Sequence, residues 1–230
     1  MNVQSAMHRR WSATRGEWGV RFVLGALLFM SAALSIVRRW YTRWGATDAE
    51  IRSGLQGDDL VPFASSVRTK AITIHASVEQ VFPWLLQLGQ QKAGFYSFEF
   101  IENAICHCNI HNADIIVSEW QDTKPGDLVH LFPPGQGGPP PYVVAQVEPN
   151  RAFVIGHMNE DKSRWADVWQ FGLRPVDANT TRLIHRVRTA GFGNVWDALD
   201  PAYFFMERGM VLGIKARAER LAASTSPISA

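Results

Sequence analysis

The chain is poor in cysteine: it has two in 230 residues, Cys106 and Cys108, one residue apart. Thiols so close in sequence cannot staple distant segments, so a disulfide scaffold is excluded. Charge is also sparse, at 19% of residues, against 47% hydrophobic. That balance excludes a disordered chain and supplies a sizeable core. Several catalytic signatures are missing: G-x-G-x-x-G, the Walker motif, H-E-x-x-H and G-x-S-x-G. Gly135, Gly137 and Gly138 lie in a proline loop, PPGQGGPPP at 133–141, with no helix to aim amides at a phosphate. No nucleotide or other cofactor is therefore expected. No internal repeat is evident.

Basic charge is scarce outside one end. Residues 1–44 hold seven arginines and one acid, Glu17, a formal charge of +6. The other 186 residues hold 16 basic and 20 acidic groups, a charge of −4. A nucleic-acid groove on the main domain is disfavoured by that sign.

The one long apolar run lies in this basic region. Residues 22–37 read FVLGALLFMSAALSIV, without a charge, between Arg21 and Arg38–Arg39. Adding Val20 and the arginine stems brings the segment at 20–37 into the range of about 17–25 residues that spans a bilayer. Trp18, Trp40, Tyr41 and Trp44 flank it as interfacial aromatics do. The reading is a single-pass transmembrane helix. A signal peptide competes poorly, because no small-residue cleavage site leads into a clean mature start. A helix packed on the domain, or lying in the interface, is the other alternative. The arginine pair and the unpaired cysteines place the following domain on the cytoplasmic side.

Residues 45–68 read as a polar connector, 69–223 as the main domain and 224–230 as a flexible tail. KAITIHA predicts a strand at 69–75. Ser77 and Gln80 form a capping box opening a helix that carries Pro83 and stops near Gly89. FYSFEFIENAI, 95–105, predicts a second helix. Strands follow at 127–132, 142–148, 151–158, 164–174 and 180–188, with turns at Pro149–Asn150 and Asp177–Asn179. Short links predict an antiparallel meander. Residues 195–223 predict a long amphipathic helix, with Tyr203, Met206, Met210, Ile214, Arg217 and Leu221 at helical spacing. The fold class is α+β. Such a sheet has one face to bury, and the last helix is the element large enough to cover it.

ITIHASVEQVFPWLLQLG, the hairpin from ADVWQFGLRP to TTRLIHRVR, and the long helix from Pro201 resemble the START/polyketide-cyclase-like (SRPBCC) superfamily over about residues 69–223. TDAEIRSGLQGDDLVP, VFPWLLQLGQQKAGFYSFEFIEN and ADIIVSEWQDTKPGD further resemble an uncharacterised bacterial subgroup with N-terminal hydrophobic segments. The resemblance implies a helix-grip fold, a curved antiparallel sheet wrapped around the C-terminal helix, with a pocket for an apolar ligand between them. It implies no single activity and supplies no catalytic motif.

Strand alternation selects the pocket lining. Trp165, Asp167, Trp169, Phe171 and Leu173 share one face; so do Leu183, His185 and Val187, and Phe153, Ile155 and His157. The expected ligand-binding set is Trp84, Tyr96, His157, Trp169, His185, Met206 and Met210, with Trp84 and Tyr96 at the mouth. An ordinary packed core explains the same pattern. Cys106, His107, Cys108 and His111 have the wrong spacing for a structural zinc site, and no metal is expected. Glu99 with Glu102, and Glu119 with Asp122, read as solvated carboxylates. No residue is assigned a catalytic role. The expected function is binding of a small hydrophobic or lipid-like molecule without catalysis. The alternatives are a cyclase-, dehydratase- or hydrolase-type enzyme using a pocket histidine, recognisable by a polar cluster deep inside, and a ligand-free structural or interaction domain, recognisable by a filled interior.

Overall fold

A computed structural model describes residues 24–136, 138–191 and 195–225. The chain divides into two compact units, Met1–Tyr41 and Thr42–Ala230. Arg9, Arg10, Arg15, Trp18 and Arg21 lie outside the described residues, as do 20–23 of the expected membrane segment and 226–230 of the expected tail.

Helix α1 runs over 24–42, and Leu24, Leu28, Phe29, Leu34, Ile36 and Trp40 on it are exposed. The helix is where the sequence places one, but the membrane crossing expected of it is not supported. Among the described residues no helix is long and apolar enough to cross a membrane. Residues 20–23, which the expected span includes, lie outside the described residues; within them Leu24 to Val37 is the uncharged part of the helix, and Arg38 and Arg39 follow.

In the second unit the elements are α2 (Asp48–Arg52), β1 (Ser66–Ile74), α3 (Val78–Leu86), α4 (Glu99–Cys106), a 3-10 turn (Ser118–Trp120), β2 (Leu128–Val129), β3 (Tyr142–Glu148), β4 (Ala152–Met158), β5 (Trp165–Asp177), β6 (Thr180–Thr189) and α5 (Val195–Thr225). The six strands form one curved antiparallel sheet in the order β1-β6-β5-β4-β3-β2. The meander from β2 to β6 is as expected, and β1 closes it by pairing with β6 from Ser66↔Thr189 to Ile74↔Thr181. Register shifts at Val144/Gln146, His157/Met158 and Pro175/Asp177 bend the strands.

Helix α3 starts as its sequence dictates, the Ser77 amide donating to Gln80 Oε1 at 3.0 Å. Pro83 sits inside it, past the first turn, and costs the helix one backbone hydrogen bond. Helix α5 lies against the concave face and buries Met210, Val211, Ile214 and Ala218 among Ile74, Leu85, Phe171, Leu173 and Leu183. Gly213 permits this seat. A Cβ there would stand 2.0 Å from the Tyr96 carbonyl oxygen, which is backbone and cannot yield.

The sheet does not have only one face to bury. Residues 45–64 pack across its convex side. Leu55 meets Ala71 and Ile184, and Val61 meets Val154 and Val168. These apolar side chains alternate with arginines on the same face, so the covering segment has to answer charge as well as area. Arg186 is 2% exposed and all its donors are met: Nε by Thr69 Oγ1 at 3.0 Å, Nη1 by Asp58 Oδ2 at 2.7 Å and by Ser53 O at 3.1 Å, and Nη2 by Glu50 O at 2.9 Å and by Ser53 O at 3.1 Å. Arg188 reaches Val61 O at 3.0 Å, and Arg182 pairs with Glu50 at 2.7 Å. The hydrogen bond from Arg182 is the chief reason the Glu50 carboxyl falls to about 2. The stretch read as a connector is thus a strap with its own ion-pair lattice.

Replacing Arg186 by Met should cost about 3 kcal/mol of unfolding free energy, because several buried acceptors lose their donor at once. Arg174→Met, which removes bonds only to Ser53 Oγ and Gly54 O at the strap's edge, should cost under about 1 kcal/mol. Urea denaturation of both variants measures the difference; equal losses would show that the lattice does not hold the strap.

Candidate functional site

The interior between sheet and α5 changes character along the strands. Toward Ile74, Leu173 and Leu183 it is apolar, closed by Ile214 and Ala218. Toward the other end it is polar. The pleat of β1 that turns Ile72 and Ile74 inward also turns Lys70 and Arg68 inward. Lys70 forms an ion pair with Glu207 of α5, and both are almost fully buried, at 1% and 2%. Arg68 pairs with Asp200 of α5. His185 of β6 lies directly opposite Lys70 and is 1% exposed.

Aromatic rings enclose this cluster. His185 stacks on Phe171 at 4.6 Å and meets the edge of Trp169 at 5.6 Å. Trp169 lies 5.0 Å from Tyr142, which stacks on His157 at 3.9 Å. His157 is held from both sides: Nδ1 is 3.0 Å from Asp167 Oδ2, and Nε2 is 2.8 Å from the Pro140 carbonyl oxygen. A carboxylate and a carbonyl both accept, so His157 donates from both nitrogens when protonated. Burial opposes that charge, but the hydrogen bond and charge of Asp167, with the Pro140 carbonyl, outweigh it and raise the pKa above 6.5.

His185 is the opposite case. Burial, reinforced by the Lys70 and Arg68 charges and opposed by Glu207, lowers it to about 4. It is neutral at neutral pH. Its Nδ1 donates to the Gln170 carbonyl at 3.3 Å, which leaves Nε2 as a bare acceptor. That nitrogen is buried with no partner among the described residues. Glu207 is held below the ordinary carboxylate value: burial raises it, but the Lys70 and Arg68 charges outweigh that.

The expected site residues fall into two groups. His157, Trp169 and His185 are joined through Tyr142 as one chain of rings. Trp84 and Tyr96 form a separate pair, edge to face at 5.8 Å, with the Tyr96 hydroxyl donating to the Trp84 carbonyl at 3.1 Å. Both are buried, at 2% and 3%, so they stand inside the core and not at an opening. Trp84 Nε1 is buried with no partner among the described residues. Met210 is in the core and Met206 is half-buried one turn earlier. Two surface concavities among the described residues lie elsewhere, one on α4 at Glu99, Phe100, Asn103 and Ala104, the other at His75, Gln80, Asn179 and Glu219.

Sequence reasoning missed Lys70 and Glu207. The signal was present: Lys70 has the parity of Ile72 and Ile74, and Glu207 precedes Met210 by three residues and Ile214 by seven. The Cys106–His111 stretch forms a turn. His107 and Asn109 adopt positive φ, Asn103 brackets Ile110 through its amide and carbonyl, and Cys108 is buried. Among the described residues no three potential metal ligands converge. Neither carboxylate of α4 is merely solvated: Glu99 accepts from the Asn112 amide at 2.9 Å, and Glu102 from Ser97.

No protein-family model matches the chain, and no curated protein matches it significantly. The likeness to a particular bacterial subgroup therefore finds no support there. Solved structures of similar outline exist at low identity. The self-sacrificing resistance protein CalC from Micromonospora echinospora is 12% identical, over 69% of this chain and 97% of that one, with a TM-score of 0.43. The Aha1 dimer from Colwellia psychrerythraea is 18% identical over 67% and 96%, with a TM-score of 0.35. A polyketide cyclase-like protein from Corynebacterium glutamicum is 16% identical over 68% and 87%, with a TM-score of 0.31.

Two pH measurements test the electrostatics. Histidine NMR should titrate His157 above 6.5, and Asp167→Asn should drop it below 6.5, since burial then acts with less opposition. For His185 the unfolded chain binds a proton near 6.5 and the native chain only near 4, so stability should fall as pH drops through that window, by roughly 3 kcal/mol in all. His185→Phe should flatten the fall between pH 6.5 and 4.5; an unchanged slope would place His185 outside the buried cluster.

Proposed function

We propose that the domain binds a small hydrophobic ligand between the sheet and α5, without catalysis, and that residues 20–37 hold it at a membrane. The observation that carries the reading is the unpartnered, fully buried Nε2 of His185, set among Phe171 and Trp169. Native interiors rarely leave such an atom unmet, at a cost of about 1–3 kcal/mol. An apolar molecule with one polar group meets it and suits the aromatic walls. His157, Trp169 and His185 then line the site, Met206 and Met210 close it from α5, and Trp84 of α3 and Tyr96 of the loop before α4 back it. The buried Lys70–Glu207 and Arg68–Asp200 pairs are the deep polar cluster that an enzyme would need, but catalysis by a pocket histidine is disfavoured on chemical grounds. Both nitrogens of His157 are engaged, and a histidine near 4 is a weak base at neutral pH. Membrane attachment is supported by the exposed apolar side chains of α1 and by Arg38 and Arg39 at the end of its uncharged stretch.

A second reading, a structural or interaction domain with no natural ligand, is favoured by the position of the two concavities outside the sheet–α5 interior. Native mass spectrometry of full-length protein extracted from membranes in mild detergent separates the two. A stoichiometric apolar adduct, lost in His185→Phe, is the expected result. Repeatedly empty protein from several growth conditions favours the second reading, and recovery in the soluble fraction refutes membrane attachment.

A further inference from the structure

Two unmet hydrogen-bonding capacities of opposite kind lie beside each other in the polar end of the interior. The Lys70 ammonium has three donors. Among the described residues one is taken, by Glu207 Oε2, although the side chain is 1% exposed. Across the strand pair, His185 Nε2 is an acceptor with no donor. Both side chains stand on the inner face, Lys70 in its pair with Glu207 and His185 on the strand directly opposite.

We infer that the polar end of the bound ligand is a hydroxyl group, which accepts a hydrogen bond from Lys70 and donates one to His185 Nε2. This rests on the proposed binding function and narrows it to a ligand class. The common charged groups and the acceptor-only groups fail one half of the pattern. A carboxylate accepts from Lys70 but has no proton for His185, and it would sit beside the Glu207 carboxylate. An ammonium donates to His185 but adds a cation to Lys70 and Arg68. A ketone or ether accepts only. A hydroxyl does both, is neutral, and leaves the Lys70–Glu207 pair intact. The adjoining surfaces are the faces and edges of Phe171 and Trp169, so the carbon attached to the hydroxyl is apolar. The class is an alcohol or phenol with a hydrocarbon body.

The test uses full-length protein with nitrogen-15-labelled histidine and three pairs of probes: phenol and benzene, 2-naphthol and naphthalene, 1-dodecanol and dodecane. Tryptophan fluorescence reads affinity, and the His185 Nε2 resonance reads the hydrogen bond. At least one alcohol should bind about tenfold or more tightly than its hydrocarbon, and should move the Nε2 resonance from the bare to the hydrogen-bonded range. His185→Phe should abolish that preference, so that whatever affinity remains is the same for the alcohol and its hydrocarbon. If alcohols and hydrocarbons bind alike and Nε2 does not move, the hydroxyl assignment is wrong and the binding function stands. If no probe binds, both are wrong. A ligand-free Nε2 already in the hydrogen-bonded range means that water fills the place, and overturns the assignment. The resonance is read on the unmodified chain, so the test survives a variant that fails to fold.

Discussion

Strand β6 turns His185 into the interior and Arg186 out, and the chain buries both almost completely. The rest of the domain answers to that constraint. A strand with an ionisable group on each face cannot lie against solvent on one side and hydrocarbon on the other. Each group has to be supplied with partners by something packed over it. On the convex side the supplier is the strap 45–64; on the concave side it is α5. The two suppliers meet the demand unequally. Around Arg186 the guanidinium is fully bonded, to backbone carbonyls, Thr69 and Asp58. Around His185 one ring nitrogen is left over.

The inequality separates structure from site. A saturated lattice such as the one around Arg186 fixes geometry, because losing one partner leaves a buried charge exposed to hydrocarbon. The strap is thereby bound to β1, β5 and β6 and becomes part of the domain. The Lys70–Glu207 pair acts differently. Desolvation consumes most of what attraction returns, so its net contribution to stability is small. Its effect is rotational. It sets which face of α5 meets the sheet, in step with Met210, Ile214 and Ala218 and with the close approach of Gly213 to Tyr96.

Much of this was legible in the sequence, and the failures have physical causes. Strand and helix positions were readable because apolar periodicity is local: β3 begins and ends where alternation puts it, and the capping box marks the start of α3. The inward register of His157, Asp167, Trp169 and His185 followed from the two-residue pleat alone. The strap was not readable as a strap, since GATDAEIRSGLQGDDLVP has few apolar residues, and its hold on the sheet comes from carbonyls and carboxylates that composition scores as solvent-facing. Lys70 and Glu207 escaped for a related reason. A charge at an inward position looks like a register error until its partner, 137 residues away, is known. Trp84 and Tyr96 were readable as large amphipathic rings, but no local signal distinguishes a ring at an opening from one in the core.

An interior that is closed and yet chemically unfinished is consistent if it opens at one end. Helix α5 packs unevenly along its length. From Glu207 onward it is anchored by Met210, Val211, Ile214 and Ala218, all buried. Before Glu207 the cover is mixed: Leu199 and Phe205 are about half exposed, Met206 is partly covered and Pro201 removes one backbone donor, while Asp200 is buried against Arg68 and Phe205 stacks on Phe98 at 4.2 Å. This is the part of α5 that covers the polar cluster. On the proposed binding function, a ligand would enter by displacing its exposed apolar side chains while the Arg68–Asp200 and Lys70–Glu207 pairs hold the helix to β1. The apolar end beneath Ile214 and Ala218 remains packed and keeps the sheet in register.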